Sequence, residues 1–221
     1  MQPLAYLVTS HYSYAPLTLP RILPSLMAAG IAPEQVFVLV GGCDRELEVR
    51  GPQCTFWYLP HHSRTFSAYL EAASESRRNA LAPFQHMFLL MDTCEAGPWF
   101  KNLSEHFDRS LDACGGTPHG DGRTMSDIGA YRIEYLRKNP EVGKYWNHPM
   151  DMGVSSEGEM FLLAEKKAYY GGQGGVDRIM TPSDRYGTGT PRITEYFTQL
   201  DLWKYKSNWG QLPIAELNER L

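Results

Sequence analysis

Six mostly apolar residues, His86-Met87-Phe88-Leu89-Leu90-Met91, run straight into Asp92-Thr93-Cys94-Glu95, and Gly97-Pro98 then breaks the chain. An apolar run of this length between turn signals reads as a strand buried on both faces. Such strands occupy the middle of parallel sheets, and ligands bind outside their carboxyl ends. Asp92 and Glu95 fall at that place. A carboxylate at the end of a buried strand needs a partner, and a hard divalent cation is one. A helix cap or an Arg partner would serve as well.

Three further runs have the same character. Residues 4–9 predict a first strand, ending in the polar and aromatic loop Thr9-Ser10-His11-Tyr12-Ser13-Tyr14. Ile22, Leu23, Leu26 and Met27 then repeat at helical spacing. Proline is tolerated in a first helical turn but not inside, so Pro16, Pro20 and Pro24 predict a helix from residue 17 or 20 to residue 30. Residues 35–40 predict a second strand, closed by Gly41-Gly42-Cys43-Asp44, where small residues let a ligand approach the backbone. Asp44 is a candidate for a base or ribose contact, or a plain turn residue. Residues 55–59 predict a third strand, followed by Pro60-His61-His62-Ser63-Arg64 and a helix over 65–81. Arg64 would contact a phosphate or base, or stay solvated. Adjacent His61 and His62 point apart on a strand end, which argues against a shared metal.

Beyond the acidic corner, residues 99–111 predict a helix. Residues 114–122 hold four glycines and predict a loop, a lid or a boundary between half-domains. Residues 125–136 predict a short strand running into a helix that ends by Asn139-Pro140. A helix is expected to open at 155–159 and run to 164; Ser156 with Glu159 matches a capping box. Residues 167–170 predict a late strand or helix end. Gly171-Gly172-Gln173-Gly174-Gly175 lacks the following Lys-Ser/Thr of a P-loop. A last helix is expected from Arg192, before a tail that interleaves Trp203, Tyr205 and Trp209 with Lys204 and Lys206.

The length of 221 residues suits one domain, and 43% hydrophobic with 21% charged residues suits a globular one. A net charge of -4 without a basic run argues against nucleic acid as a partner, though not against nucleotides. Four scattered cysteines without a CxxC pair argue against zinc and for a reducing compartment. The N-terminus lacks the charged start of a signal peptide, and no stretch approaches the ~20 apolar residues of a membrane span. A cytoplasmic location, or one peripheral to a membrane, is expected.

The order of these elements resembles the nucleotide-sugar glycosyltransferases of the GT-A fold. That resemblance implies an α/β single domain over 1–221 with a mostly parallel central sheet flanked by helices. Residues 1–95 would form the nucleotide-sugar half and 96–221 the acceptor and sugar half. Asp92-Thr93-Cys94 stands where that family carries an Asp-x-Asp motif holding Mn²⁺ or Mg²⁺ on the diphosphate. Ser126-Asp127-Ile128-Gly129 stands where a strand and turn line the donor sugar. Glu157 and Glu159 stand where inverting members carry the base that deprotonates the acceptor hydroxyl. Cys94 replaces the second Asp, and a thiol is a poor ligand for Mg²⁺ or Mn²⁺. Asp92 with Glu95 and water is then the metal set, or transfer is metal-independent.

The chemistry requires the same roles without the family. Transfer of a sugar releases a nucleoside diphosphate, whose developing charge must be met by a metal or by Arg and Lys. The acceptor hydroxyl needs a general base. The expected assignment is therefore a glycosyltransferase, with Glu157, Glu159 and Asp127 as catalytic candidates. Thr9, Ser10, His11, Asp44, Arg64, Asp92 and Lys206 are the donor-binding candidates, and Asp92 and Glu95 the metal ligands. A glycan, lipid-linked or protein acceptor fits equally. The alternatives are a non-catalytic nucleotide- or glycan-binding domain and a sugar nucleotidyltransferase. The latter is disfavoured because residues 9–16 lack a Gly-rich basic phosphate loop.

Overall fold

The computed structural model describes residues 3–61, 66–118, 124–139, 159–171, 178–183 and 192–205. Apolar runs buried on both faces dictate a layered α/β arrangement. β1 (Leu4–His11), β2 (Val36–Gly41), β4 (Thr55–Tyr58) and β5 (His86–Met91) are parallel neighbours. They share an eight-stranded sheet with β3 (Leu47–Arg50), β7 (Ala113–Pro118), β8 (Thr124–Arg132) and β9 (Lys167–Tyr169). The strand order is β3-β4-β2-β1-β5-β8-β7-β9. β3 is an antiparallel edge, and β8 runs antiparallel to both β5 and β7.

Successive residues of β1 face opposite layers, as a strand requires. Tyr6 and Val8 pack with Val38, Phe88 and Leu90 against Leu19, Ile22 and Leu26 of α1 (Ala15–Ala28) and Phe100 of α4 (Phe100–Glu105). Ala5 and Leu7 pack with Leu39 and Leu89 against α2 (Phe66–Ala73), α5 (Ile133–Lys138) and α6 (Glu159–Leu162).

A second sheet leans on the first layer. It contains β6 (Cys94–Ala96), β10 (Arg178–Ser183), β11 (Arg192–Phe197) and β12 (Leu202–Tyr205). These four strands are antiparallel, in the order β10-β11-β12-β6. Phe197, Leu200 and Leu202 join the core beneath α1.

Several expectations fail for identifiable reasons. α1 carries Pro20 and Pro24 in its interior. Pro16, Pro20 and Pro24 recur every fourth residue on the exposed face of the helix, so the carbonyls they leave unbonded can take water instead. The helix predicted over 65–81 is broken: α2 stops at Ala73, Ser74 caps a 3-10 turn, and α3 (Arg78–Leu81) follows. The helix expected over 99–111 is only α4.

Residues 113–118 are a strand, not a loop. Packing explains the small residues: a Cβ on Gly115 would press on the Phe161 ring, and one on its β8 neighbour Gly129 would meet the Cys114 carbonyl. Arg192 opens a strand, not a helix, in keeping with the β-formers Ile193, Thr194, Tyr196 and Phe197. The strand-into-helix expectation over 125–136 matches β8 and α5. The expectations for 119–122, 140–158, 172–175 and 206–210 lie outside the described residues. Among the described residues no helix is long and apolar enough to cross a membrane.

Candidate functional site

β1 has β2 on one side and β5 on the other, so chain order reverses between β1 and β5. Ligands of open α/β sheets bind at that crevice, outside the carboxyl ends of the strands. Ser10 near the end of β1 and Asp92 just past β5 straddle it. Ser10 Oγ donates to Asp92 Oδ2 over 2.6 Å, and Thr18 Oγ1 of α1 stands 2.8 Å from the same oxygen. Backbone N–H groups of Asp92 and Thr93 also support the carboxylate. Asp92 is only 8% exposed. Burial pushes its carboxyl from the usual 3.8 up to about 6, against the pull of those donors.

The loop after β1 supplies the wall. Ser13 N–H donates to His11 Nδ1 over 3.2 Å, which puts the neutral ring's proton on Nε2. Burial pushes His11 below its ordinary pKa. Its ring lies 4.5 Å from that of Tyr12 and 5.6 Å from that of Tyr14. Gly42, at φ 78°, backs the imidazole; a Cβ there would collide with the ring. Ser13 Oγ is buried and has no hydrogen-bond partner among the described residues. It directly precedes the N-terminus of α1, where Tyr14 provides no side-chain cap and Pro16 no N–H.

The C-terminal strands close the other side. β12 pairs with β6 so that Lys204 stands opposite Cys94, and Tyr205 N–H donates to the Thr93 carbonyl over 2.9 Å. On its other edge Lys204 stands opposite Glu195 of β11, and both side chains are buried.

A third cluster ties the loop after β4 to the neighbouring helices. Arg77 reaches Glu71 at 2.7 Å, Glu46 at 2.6 Å and Glu48 at 3.7 Å, and its guanidinium lies 4.7 Å from the centre of the Trp57 ring. Burial pushes Glu71 up, but hydrogen bonds from His61 and Arg77 outweigh it and hold the carboxyl below its usual range. The His61 carbonyl accepts the Gly42 N–H over 3.1 Å, so this network abuts the crevice.

The predicted residues are distributed unevenly about this crevice. Ser10 and Asp92 meet, while His11, the next residue of β1, packs against Tyr12, Tyr14 and Gly42 at the strand end. Thr9 is buried and bonds the Leu90 carbonyl of the adjacent strand. Asp44 is exposed on the turn after β2. Glu95 lies on β6, opposite Trp203. Asp127 belongs to β8, two residues before Gly129, which pairs with Leu89; its side chain is outside the described residues. Glu159 is the first residue of α6, its side chain likewise outside them. Arg64, Glu157 and Lys206 lie outside the described residues altogether.

The metal set does not fit this arrangement. Asp92 Oδ2 faces two hydroxyls inside the protein, and Cys94 is buried in the core. Among the described residues no three His, Cys, Asp or Glu side chains gather as ligands. Ser13, Thr18 and Glu195 were not among the predicted residues. Ser13 and Thr18 carried no signal beyond their places before and within the first turn of a helix. Glu195 was hidden by the helix expected at Arg192. A groove of about 620 Å³ lined by Pro33, Glu34, Arg50, Cys54 and Phe84 lies at the opposite, amino-terminal edge of the parallel strands. Comparison with protein-family models and with curated proteins finds no match.

Proposed function

We propose that this chain is a glycosyltransferase of GT-A type, transferring a sugar from a nucleoside-diphosphate donor to an acceptor hydroxyl. The observation that carries it is the polar junction at the sheet's switch point: Ser10 and Thr18 on Asp92, beside the buried, unpartnered hydroxyl of Ser13. An orphaned buried hydroxyl is costly unless a ligand completes it. The aromatic loop Tyr12–Tyr14 offers stacking faces for a base.

In the reaction, the acceptor oxygen forms a bond to the anomeric carbon. The carbon–oxygen bond to the diphosphate breaks, and its electron pair leaves with the nucleoside diphosphate. The acceptor proton passes to a carboxylate, for which Glu159 at the start of α6 and Glu157 before it are the candidates, with Asp127 near the donor sugar. Charge on the leaving group is met by Arg64 and Lys206, the expected phosphate partners. Asp92 acts as a positioning residue that fixes β1, α1 and β5 around the donor.

A thermal-shift panel of nucleotide sugars, with and without Mn²⁺, tests the donor site, because a ligand of the native state raises the melting temperature. One nucleotide class should stabilise the protein without Mn²⁺. No shift with any nucleotide overturns the donor site. A Mn²⁺ requirement abolished by Asp92→Asn restores Asp92 as a metal ligand. Binding without release of nucleoside diphosphate, whatever the acceptor, supports the non-catalytic alternative.

A further inference from the structure

We infer that the outward face of the small sheet is a carbohydrate-binding platform, built from Tyr196, Trp203 and Trp99 and fixed by Asp201. Its ligand is a neutral saccharide; that this saccharide is the acceptor rests on the glycosyltransferase proposed above, whereas the platform rests on its own geometry.

Strand alternation separates two faces. Phe197, Leu202 and Cys94 turn inward to the core, while their neighbours Tyr196, Trp203 and Glu95 take the opposite face. Tyr196 and Trp203 are directly paired across β11 and β12, and their rings stack with centroids 4.2 Å apart at 28°. Trp203 is 37% exposed and Trp99 65%. Indole left in water forgoes a large burial gain, so two exposed tryptophans, one stacked on Tyr196 and one tied by its backbone to Asp201, mark a binding surface.

Asp201 holds the group together. Its Oδ1 accepts the Tyr196 hydroxyl over 2.8 Å, and its Oδ2 accepts the Trp99 backbone N–H over 2.9 Å. Its carbonyl accepts the Gly97 N–H over 2.8 Å. The bond to Asp201 raises the Tyr196 phenol above its ordinary pKa. Asp201 is the one non-glycine residue with a positive φ, 50°, among the described residues. A Cβ on Gly97 would collide with its carboxylate, so Gly97 is required for this close approach. A strained turn thus commits both carboxylate oxygens to two aromatic residues from distant parts of the chain.

The chemistry selects the ligand. A pyranose presents a face of polarised C–H bonds and a rim of hydroxyls. Aromatic rings attract the first, and carboxylates accept from the second. Tyr and Trp have few rotatable bonds, so little entropy is lost when they are fixed on a ligand. The charged side chains described at the platform, Glu95 and Asp201, are both carboxylates, which repel phosphate and suit an uncharged polyol. β6 begins two residues after Asp92, so the small sheet is joined directly to the corner of the donor crevice.

The test is ligand-observed NMR and calorimetry with maltotetraose, chitotetraose and mannotetraose, in the absence of any nucleotide. At least one should bind the wild type. Trp203→Ala and Trp99→Ala should each weaken that binding about tenfold or more, as the loss of an aromatic anchor does. Trp203→Phe should recover part of it. If Trp203→Ala lowers the melting temperature enough to unfold the hairpin, Trp99→Ala decides, because that side chain is exposed and its backbone bond to Asp201 survives. No binding by the wild type, or binding unchanged in both alanine variants, overturns the platform. So does self-association, followed by sedimentation, that Trp99→Ala abolishes while no saccharide binds; the face is then an interface between copies of this chain. Saccharide binding with no nucleotide bound in the thermal-shift panel leaves the platform standing and removes the transferase. Nucleotide turnover without saccharide binding does the reverse.

Discussion

Ser10 Oγ lies 2.6 Å from Asp92 Oδ2, although the two residues are 82 positions apart in the chain. The contact joins the ends of β1 and β5 where the sheet changes direction. Thr18 adds α1 to the same oxygen. Thr18 has one hydroxyl hydrogen and two acceptors in reach, Asp92 at 2.8 Å and the Tyr14 carbonyl at 3.0 Å. When Asp92 is protonated it can donate to Thr18, which frees the threonine hydrogen for Tyr14. The protonated junction is then fully satisfied, in accord with the raised carboxyl pKa.

A pH dependence of stability follows. The Asp92 carboxyl titrates near 3.8 in the unfolded chain and near 6 in the fold. Between those values the native state binds more protons, so this contribution is fully present below pH 4 and lost as pH rises through 6. Its loss should amount to about 2–3 kcal/mol. His86 has the opposite sign: burial lowers it from 6.5 to about 4, so its contribution grows over the same interval. The difference between wild type and Asp92→Asn, measured by urea unfolding from about pH 4 to 7, isolates the aspartate. Parallel curves for the two proteins would exclude the assignment.

The two hydroxyls should be coupled. Ser10→Ala and Thr18→Ala should each destabilise the protein by about 1–2 kcal/mol, since each removes a donor from a buried carboxylate. The double variant should deviate from the sum of the two, because both act on one oxygen. Strict additivity in denaturant unfolding would show that they do not share a partner.

Arg77→Met should be among the more damaging substitutions. It leaves Glu71 buried without its 2.7 Å partner and takes the guanidinium from Trp57. Removing one member of a buried pair costs about 3–5 kcal/mol. Arg77→Met combined with Glu71→Leu should recover part of that loss in a thermal melt; no recovery would mean the cation acts mainly through Glu46, Glu48 or the ring.

Gly42→Ala should disturb the crevice. Its φ of 78° disfavours any side chain, and the new methyl would meet the His11 ring. A destabilisation of about 1–3 kcal/mol is expected, with displacement of the imidazole. The His11 ring resonances in an NMR spectrum report it; unchanged shifts and stability would contradict the close approach.

Much of the fold was legible because it follows from local patterns. The parallel strands show as apolar runs, and the corner at Asp92 as the point where such a run meets acidic residues. Ser10 and His11 could be placed at the carboxyl end of the first strand because they close its apolar run. The misreadings arose where neighbours decide. Pro20 and Pro24 persist in a helix because their face looks into solvent. The glycines within 114–122 read as a flexible loop, yet Gly115 is small because Phe161 lies on it.

Which segments are buried, and that polar groups stand at their carboxyl ends, follows from the order of apolar and polar residues along the chain. What those groups touch depends on packing between distant segments. That packing set Asp92 against Ser10 and Thr18, put Lys204 beside Cys94, and brought Asp201 under Trp99 and Tyr196. Most of these contacts link residues distant in the chain. Their energies come from burial and hydrogen-bond geometry that exist only once strands from the two ends of the chain pack together.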